Sequence, residues 1–167
     1  MAYATYADYT EIYDNEDVNE RTFTRLLWNA EKKMDYYTSG VDGVKKLKVA
    51  FPIVAEDAEA VKRCAVEIVN TMFQIEQAEK SALASKKYVE REDGTLHGKV
   101  VSSLSAGNET INFSNGNPAV TLIDKVLADK KAQEALFKFT IMEYLSGVSD
   151  ANGVGLLYIG KYPYAVR

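Results

Sequence analysis

The chain is expected to be mainly α: a small helical bundle with an inserted β-hairpin and an extended C-terminal tail. Three observations predict this. Apolar residues recur at spacings of three and four over residues 20–38 and again from Val61 to Ile75. Around Gly98 the period changes from helical to alternating, and the last 15 residues are apolar and aromatic but broken by Gly and Pro. A length of 167 residues suits one hydrophobic core without disulfide staples.

Tyr3, Tyr6, Tyr9 and Tyr13 recur three or four residues apart, so a short first helix would carry them as one stripe. Two uses fit such a stripe. It packs on the chain's own second helix, or it meets a neighbouring subunit, since tyrosine is enriched at interfaces. An acidic linker follows, then a second helix over about residues 20–38 with Phe23, Leu26, Leu27, Ala30, Met34 and Tyr37 on one face. Gly40 and Gly43 stop it. The basic run Lys45, Lys46, Lys48 leads through Pro52 to a third helix that begins near Asp57, an acidic residue suited to an N-terminal cap. Its apolar positions are Val61, Ala65, Ile68, Met72 and Ile75, and a polar, frayed extension is expected to about Tyr88.

Val100, Ser102 and Leu104 alternate with Val101 and Ser103, Gly107-Asn108 supplies a turn, and Thr110 to Phe113 alternates again. The expected hairpin therefore covers about 98–113, and with two strands it must lean on other structure. Asn117-Pro118 reads as a helix start. Val120, Ile123, Val126 and Leu127 form a short face, and Ala132, Ala135, Leu136, Phe139, Met142 and Leu145 a longer one ended by Gly147, with Asp129-Lys130-Lys131 as the joint. The division expected is residues 1–152 as the helical part and 153–167 as a tail that must dock, on its own core or on a partner.

Charge is uneven. Residues 1–38 hold 8 acids and 4 bases, whereas 39–167 hold 16 of each, so the whole net charge of −4 lies at the start. Sequence-specific DNA binding needs a basic patch, and the clusters at 45–48 and 86–91 are small and diluted by Glu90, Glu92 and Asp93. DNA passing an acidic wall without sticking is compatible with this balance. No basic start with an apolar run opens the chain, and no stretch reaches the roughly 18 apolar residues of a membrane span, so a soluble protein made in the cytoplasm is expected. The Asn108 and Asn112 triplets would accept sugar only in a secreted chain.

Equipment for catalysis is not evident. The single Cys64 lies at a helix-periodic position and is expected to be a small buried thiol. His97, the only histidine, is placed in a polar turn without a Cys or carboxylate pattern, so neither a metal site nor a cofactor is expected. Asp14 to Glu20 resembles a calcium loop only superficially, because Asn19 and Arg25 stand where Gly and Glu are required. Gly153-x-Gly155 has no third glycine and no helix after it, and carboxylate pairs such as Glu56 with Glu59 read as the wet side of a helix. A small cytosolic helical enzyme or ligand-binding bundle remains the alternative, and it would require a concave pocket with convergent polar groups.

Several patterns occur together in order. They are the Tyr3-x-x-Tyr6-x-x-Tyr9-Thr10 opening and the run Phe23-x-Arg25-Leu26-x-x-x-Ala30-x-x-x-Met34-Asp35-Tyr36-Tyr37-Thr38. Ala58-x-x-Val61-Lys62-x-Cys64-Ala65, the Ser/Thr-rich hairpin and Gly155-Leu156-Leu157-Tyr158-x-Gly160 follow. Jointly they resemble the head-tail connector proteins of long-tailed bacteriophages, also called head completion or adaptor proteins. The likeness spans nearly the whole chain, departing in a longer central segment at about 76–97. The resemblance implies a non-enzymatic virion protein of the neck, present in the host cytoplasm during assembly. It implies a homo-oligomeric ring of about a dozen copies, joined by a contact between two different faces. The ring would sit between the portal protein and a tail-side head-closure protein and line the channel for double-stranded DNA, with no membrane partner. On this sequence the portal-docking residues would be Leu156, Leu157, Tyr158, Tyr162 and Tyr164, and the intersubunit residues Tyr6, Tyr9 and Tyr13.

Overall fold

The computed structural model describes residues 2–13, 18–85, 87–90, 96–99, 103–106, 109–112 and 129–164. They are mainly α: α1 Tyr6–Ile12, α2 Glu20–Thr38, α3 Lys46–Val49, α4 Ala55–Ser85 and α5 Lys130–Leu145. The chain divides into two compact units, one made of Met1–Phe73 with Lys131–Arg167 and the other of Gln74–Lys130.

In the first unit each early helix has its own start signal. The Thr5 hydroxyl accepts the Asp8 backbone N–H at 3.2 Å while Asp8 Oδ2 accepts the Thr5 N–H at 2.6 Å, a reciprocal cap on α1. Partial burial pushes the Asp8 carboxyl up, but these bonds from Thr5 and the Lys62 ammonium outweigh it and hold it below the usual range. Asn19 caps α2 by accepting the Thr22 N–H at 2.9 Å. The expected α2 span and stripe are observed: Phe23, Leu26, Leu27, Ala30 and Met34 are buried, and Tyr37 is half-buried. Tyr6 and Tyr9 lie against Phe23 with ring centroids 5.8 and 5.5 Å away, which seats α1 on α2.

Up to Phe73, α4 buries Val61, Cys64, Ala65, Ile68 and Val69, following the predicted period. Its start needs correction. The helix begins at Ala55, so Asp57 lies in its first turn, and the Asp57 carboxylate accepts the Ser149 N–H at 3.2 Å instead of capping its own helix. A carboxylate there still suits the positive helix end.

The face of α5 also differs from expectation. Phe137, Thr140, Ile141 and Leu145 are buried, whereas Ala135, Phe139 and Met142 are exposed. Apolar residues occur nearly all round this helix, so periodicity alone could not select the stripe that faces the core. Gly147, at φ +81°, ends it in the left-handed conformation that glycine adopts at least cost.

In the second unit the backbone pairs as two antiparallel two-stranded ribbons. Strand β1 Lys87–Glu90 pairs with β2 Leu96–Lys99, and β3 Ser103–Ala106 with β4 Glu109–Asn112. In the second ribbon Leu104 stands opposite Ile111 and Ser105 opposite Thr110. Residues 100–102, 107–108 and 113 of the expected 98–113 hairpin lie outside the described residues. Helix α4 ends at Ser85, so Lys87 to Tyr88 is strand and not frayed helix, and His97 belongs to β2 and not to a polar turn. The helix expected after Asn117-Pro118 lies outside the described residues.

Candidate docking surface

Between α2 and α4 the chain makes a glycine turn and the single turn of α3. Lys46, which the sequence presents as one of a basic run, is fully buried there. Its ammonium donates to the carbonyls of Gly155 at 3.2 Å, Leu156 at 2.9 Å and Tyr158. Three donors on one nitrogen meet three backbone acceptors, which satisfies the charge and adds to the turn's own bond from the Tyr158 N–H to the Gly155 carbonyl at 3.0 Å. Burial lowers the Lys46 pKa from the ordinary lysine value, while the charges of Asp150 and Asp42 act to raise it.

Carboxylates complete the loop. Asp150 Oδ1 accepts the N–H groups of Asn152 and Val154, both at 2.9 Å, and its Oδ2 accepts the Tyr162 hydroxyl at 2.6 Å. Burial and this bond raise the Tyr162 phenol above its ordinary pKa. Asp42 Oδ2 accepts the Tyr162 backbone N–H at 2.8 Å, the main cause of its lowered pKa, and the Val41 N–H donates to the Ile159 carbonyl at 2.9 Å. At Gly40 a Cβ would stand 2.3 Å from the Gly160 carbonyl oxygen, so only glycine lets the two segments approach this closely.

Asp35 fixes the other side. It is buried, accepts the Tyr3 hydroxyl at 2.5 Å and lies 3.1 Å from the Lys48 ammonium and 3.8 Å from that of Lys45. The Tyr3 phenol is raised by burial and by Asp35.

These contacts shape a groove of about 930 Å³ whose lining includes Tyr36, Val41, Met142, Leu157 and Ile159, with Lys32, Lys45 and Lys138 also bordering it. Val41, Tyr36 and Ile159 are 76%, 74% and 72% exposed, values that leave nearly whole apolar side chains in water. Lys32 lies over the exposed Trp28 ring, 3.4 Å from its centroid.

The sequence-derived candidates separate into two sets. Leu156 and Tyr162 are buried in their own unit and hold the loop, Leu157 is half-buried in the groove, and Tyr158 and Tyr164 are exposed. In the stripe, Tyr9 is wholly buried, Tyr6 is half-buried with its hydroxyl donating to the Val18 carbonyl at 2.9 Å, and half-buried Tyr13 bonds to Glu67. Tyr36, Val41, Met142 and Ile159 were not singled out by sequence reasoning. A signal existed for two: Val41 lies between Gly40 and Gly43, and Ile159 abuts Gly160, where a large apolar residue on a turn is unusual.

Cys64 is buried, and burial pushes its thiol up to about 12. Among the described residues no group of three or more His, Cys, Asp or Glu gathers to hold a metal ion, and no helix is long and apolar enough to cross a membrane. Comparison of the chain with family models, with curated proteins and with solved structures finds no match.

Proposed function

We propose that the chain is a structural adaptor of a bacteriophage head-tail interface, a ring-forming connector between portal and tail-side head-closure protein. The observation that carries it is the exposed apolar groove beside a firmly tied C-terminal loop: the loop is anchored by Lys46, Asp42 and Asp150, yet turns Tyr158, Ile159 and Tyr164 outward. Anchored backbone with greasy side chains in water suits a surface that docks protein. The ordered resemblance of the sequence to head-tail connectors supplies the identity of the partners.

In this proposal Leu156 and Tyr162 position the loop, and Leu157, Tyr158 and Tyr164 meet the portal. Tyr9 stays in the core, and the outer edges of Tyr6 and Tyr13 are left for a neighbouring copy. The β3–β4 ribbon faces the lumen or the tail-side partner, and the genome passes without sequence-specific contact. The protein performs no reaction and takes no cofactor or metal. Measuring the size of the pure protein, alone and mixed with the portal of the same phage, tests this. Concentration-dependent self-association alone and a large defined complex with the portal are expected; no complex in either case overturns it.

The groove's volume also lies in the range of small-molecule pockets, which favours the ligand-binding alternative. Against it, the buried acid that borders the groove, Asp35, is already tied to Tyr3, Lys45 and Lys48. A metabolite that raises the melting temperature in proportion to its occupancy, and loses that effect in Val41→Asp, would support this alternative.

A further inference from the structure

An outer stripe of α2 runs from the groove back toward the start of the helix. Arg25, Trp28, Lys32 and Tyr36 follow one another at spacings of three, four and four, on the side away from the buried Phe23, Leu26, Ala30 and Met34. All four are exposed, Trp28 by 59%. Cations and aromatic rings therefore alternate along about 16 Å of one helix edge.

The acids around this stripe are engaged elsewhere, with one exception. Glu31 is half-buried and accepts the Tyr3 backbone N–H at 2.8 Å, and buried Asp35 is held by Tyr3, Lys45 and Lys48. Asp42, beside the groove's Val41, accepts the Tyr162 N–H. Glu134, one turn before Lys138 on α5, is paired with Lys33. The exception is Glu20, which is exposed and shares a shallow depression with Arg21 and Arg25, and in sequence Asp14, Glu16 and Asp17 stand ahead of it. The positive charge is accordingly strongest toward the groove, where Lys138 borders the same space as Lys32 and Tyr36.

A polyanion satisfies these cations, but rings standing in water gain most from a partner with flat faces of its own. A duplex keeps its bases stacked inside and an acidic peptide need supply none, whereas an unpaired strand offers phosphates and bases together. We infer that this stripe binds single-stranded nucleic acid without sequence preference, bases stacking on Trp28 and Tyr36 and phosphates meeting Lys32, Lys138 and Arg25. The Lys32 ammonium, 3.4 Å from the centroid of the Trp28 ring, is already placed beside a stacking surface. Binding of this kind does not rest on the adaptor reading.

Trp28 is the only tryptophan, so its fluorescence reports on the site. Titrating the full chain with a short oligothymidylate at low salt should give saturable quenching that weakens as salt rises. Followed by anisotropy of a labelled oligonucleotide, Trp28→Ala should bind about tenfold more weakly, and Trp28→Phe, which keeps a ring, should stay within about threefold of the wild type. Lys32→Gln should reduce the salt slope by about 0.7, the loss of one phosphate contact on a single strand. Arg63→Gln, which removes an α4 charge outside the stripe, should change neither quantity. Matching circular-dichroism melts show that the variants are folded; if Trp28→Ala melts lower, Tyr36→Ala replaces it.

No saturable quenching, wild-type-like binding by the alanine variant, or equal or tighter binding of a duplex of the same length or of polyglutamate overturns the inference. Portal binding, measured on separate samples, keeps the two proposals apart. Its absence removes the adaptor and leaves the strand-binding stripe standing, and a portal complex formed by a protein that ignores the oligonucleotide does the reverse.

Discussion

Residues 2–13 and 146–164 both close over the same helical unit, and the mix of chemistry that holds them differs. The N-terminal corner is aromatic: Tyr6 and Tyr9 pack on Phe23, and Tyr9 is wholly buried. The C-terminal loop is tied by charge to backbone, through Lys46, Asp42 and Asp150. Ring burial is non-directional and tolerates adjustment, whereas an ammonium serving three carbonyls fixes one geometry. The rigid attachment belongs to the segment that presents its apolar side chains outward, where a partner would need them in a fixed place.

The largest effect expected is that of Tyr9→Ala, which should cost about 4 kcal/mol in denaturant unfolding, as truncation of a buried aromatic does. Lys46→Met should cost about 3 kcal/mol by leaving buried carbonyls unpaired, and it should expose residues 153–164 to protease before the helices unfold. If the loop stays protected until the whole unit melts, the contrast between the two ends disappears.

Gly40→Ala comes next, at about 2 kcal/mol, since the added methyl must displace the Gly160 carbonyl. Its loss should be recovered in part by loosening the loop, which limited proteolysis would reveal.

The pH response sharpens the comparison from the other side. Tyr3 and Tyr13 have phenols raised from 10.0, in both cases first by burial and then by a carboxylate partner, Asp35 or Glu67. The unfolded chain releases these protons first, so their contribution is complete below pH 10 and falls as pH rises above it. Alkaline denaturation followed by tyrosinate absorbance should therefore steepen above pH 10, and Tyr3→Phe should flatten the slope. The smallest expected effect is chemical: Cys64, raised to about 12 by burial, should resist thiol reagents at neutral pH until the protein unfolds.

How far the residues announced this structure depended on how local each determinant is. The α2 stripe from Phe23 to Met34 was legible because period and span lie within one element. Helix α5 was read on the wrong face because Phe137, Phe139, Ile141 and Met142 put apolar atoms on several sides. Lys46 was illegible for a different reason. In sequence it is one lysine among three within four residues, and only contact with carbonyls up to 112 residues away makes it a buried clamp while Lys45 and Lys48 stay wet. Of the candidate docking residues, Tyr158 and Tyr164 face outward, but Leu156 and Tyr162 do not, because an aromatic-rich tail carries no periodicity to tell anchor from contact.

The distance between Lys46 and its acceptors also sets an order of events in the cell. Synthesis delivers Lys46 early and Tyr158 only after the whole Gln74–Lys130 excursion has been made. During that interval the ammonium has no carbonyls to serve and the future groove has no Leu157 or Ile159 wall. The groove is therefore completed only after residues 131–164 have followed the Gln74–Lys130 segment, so an early-made part of the chain waits for a late-made one to finish its surface.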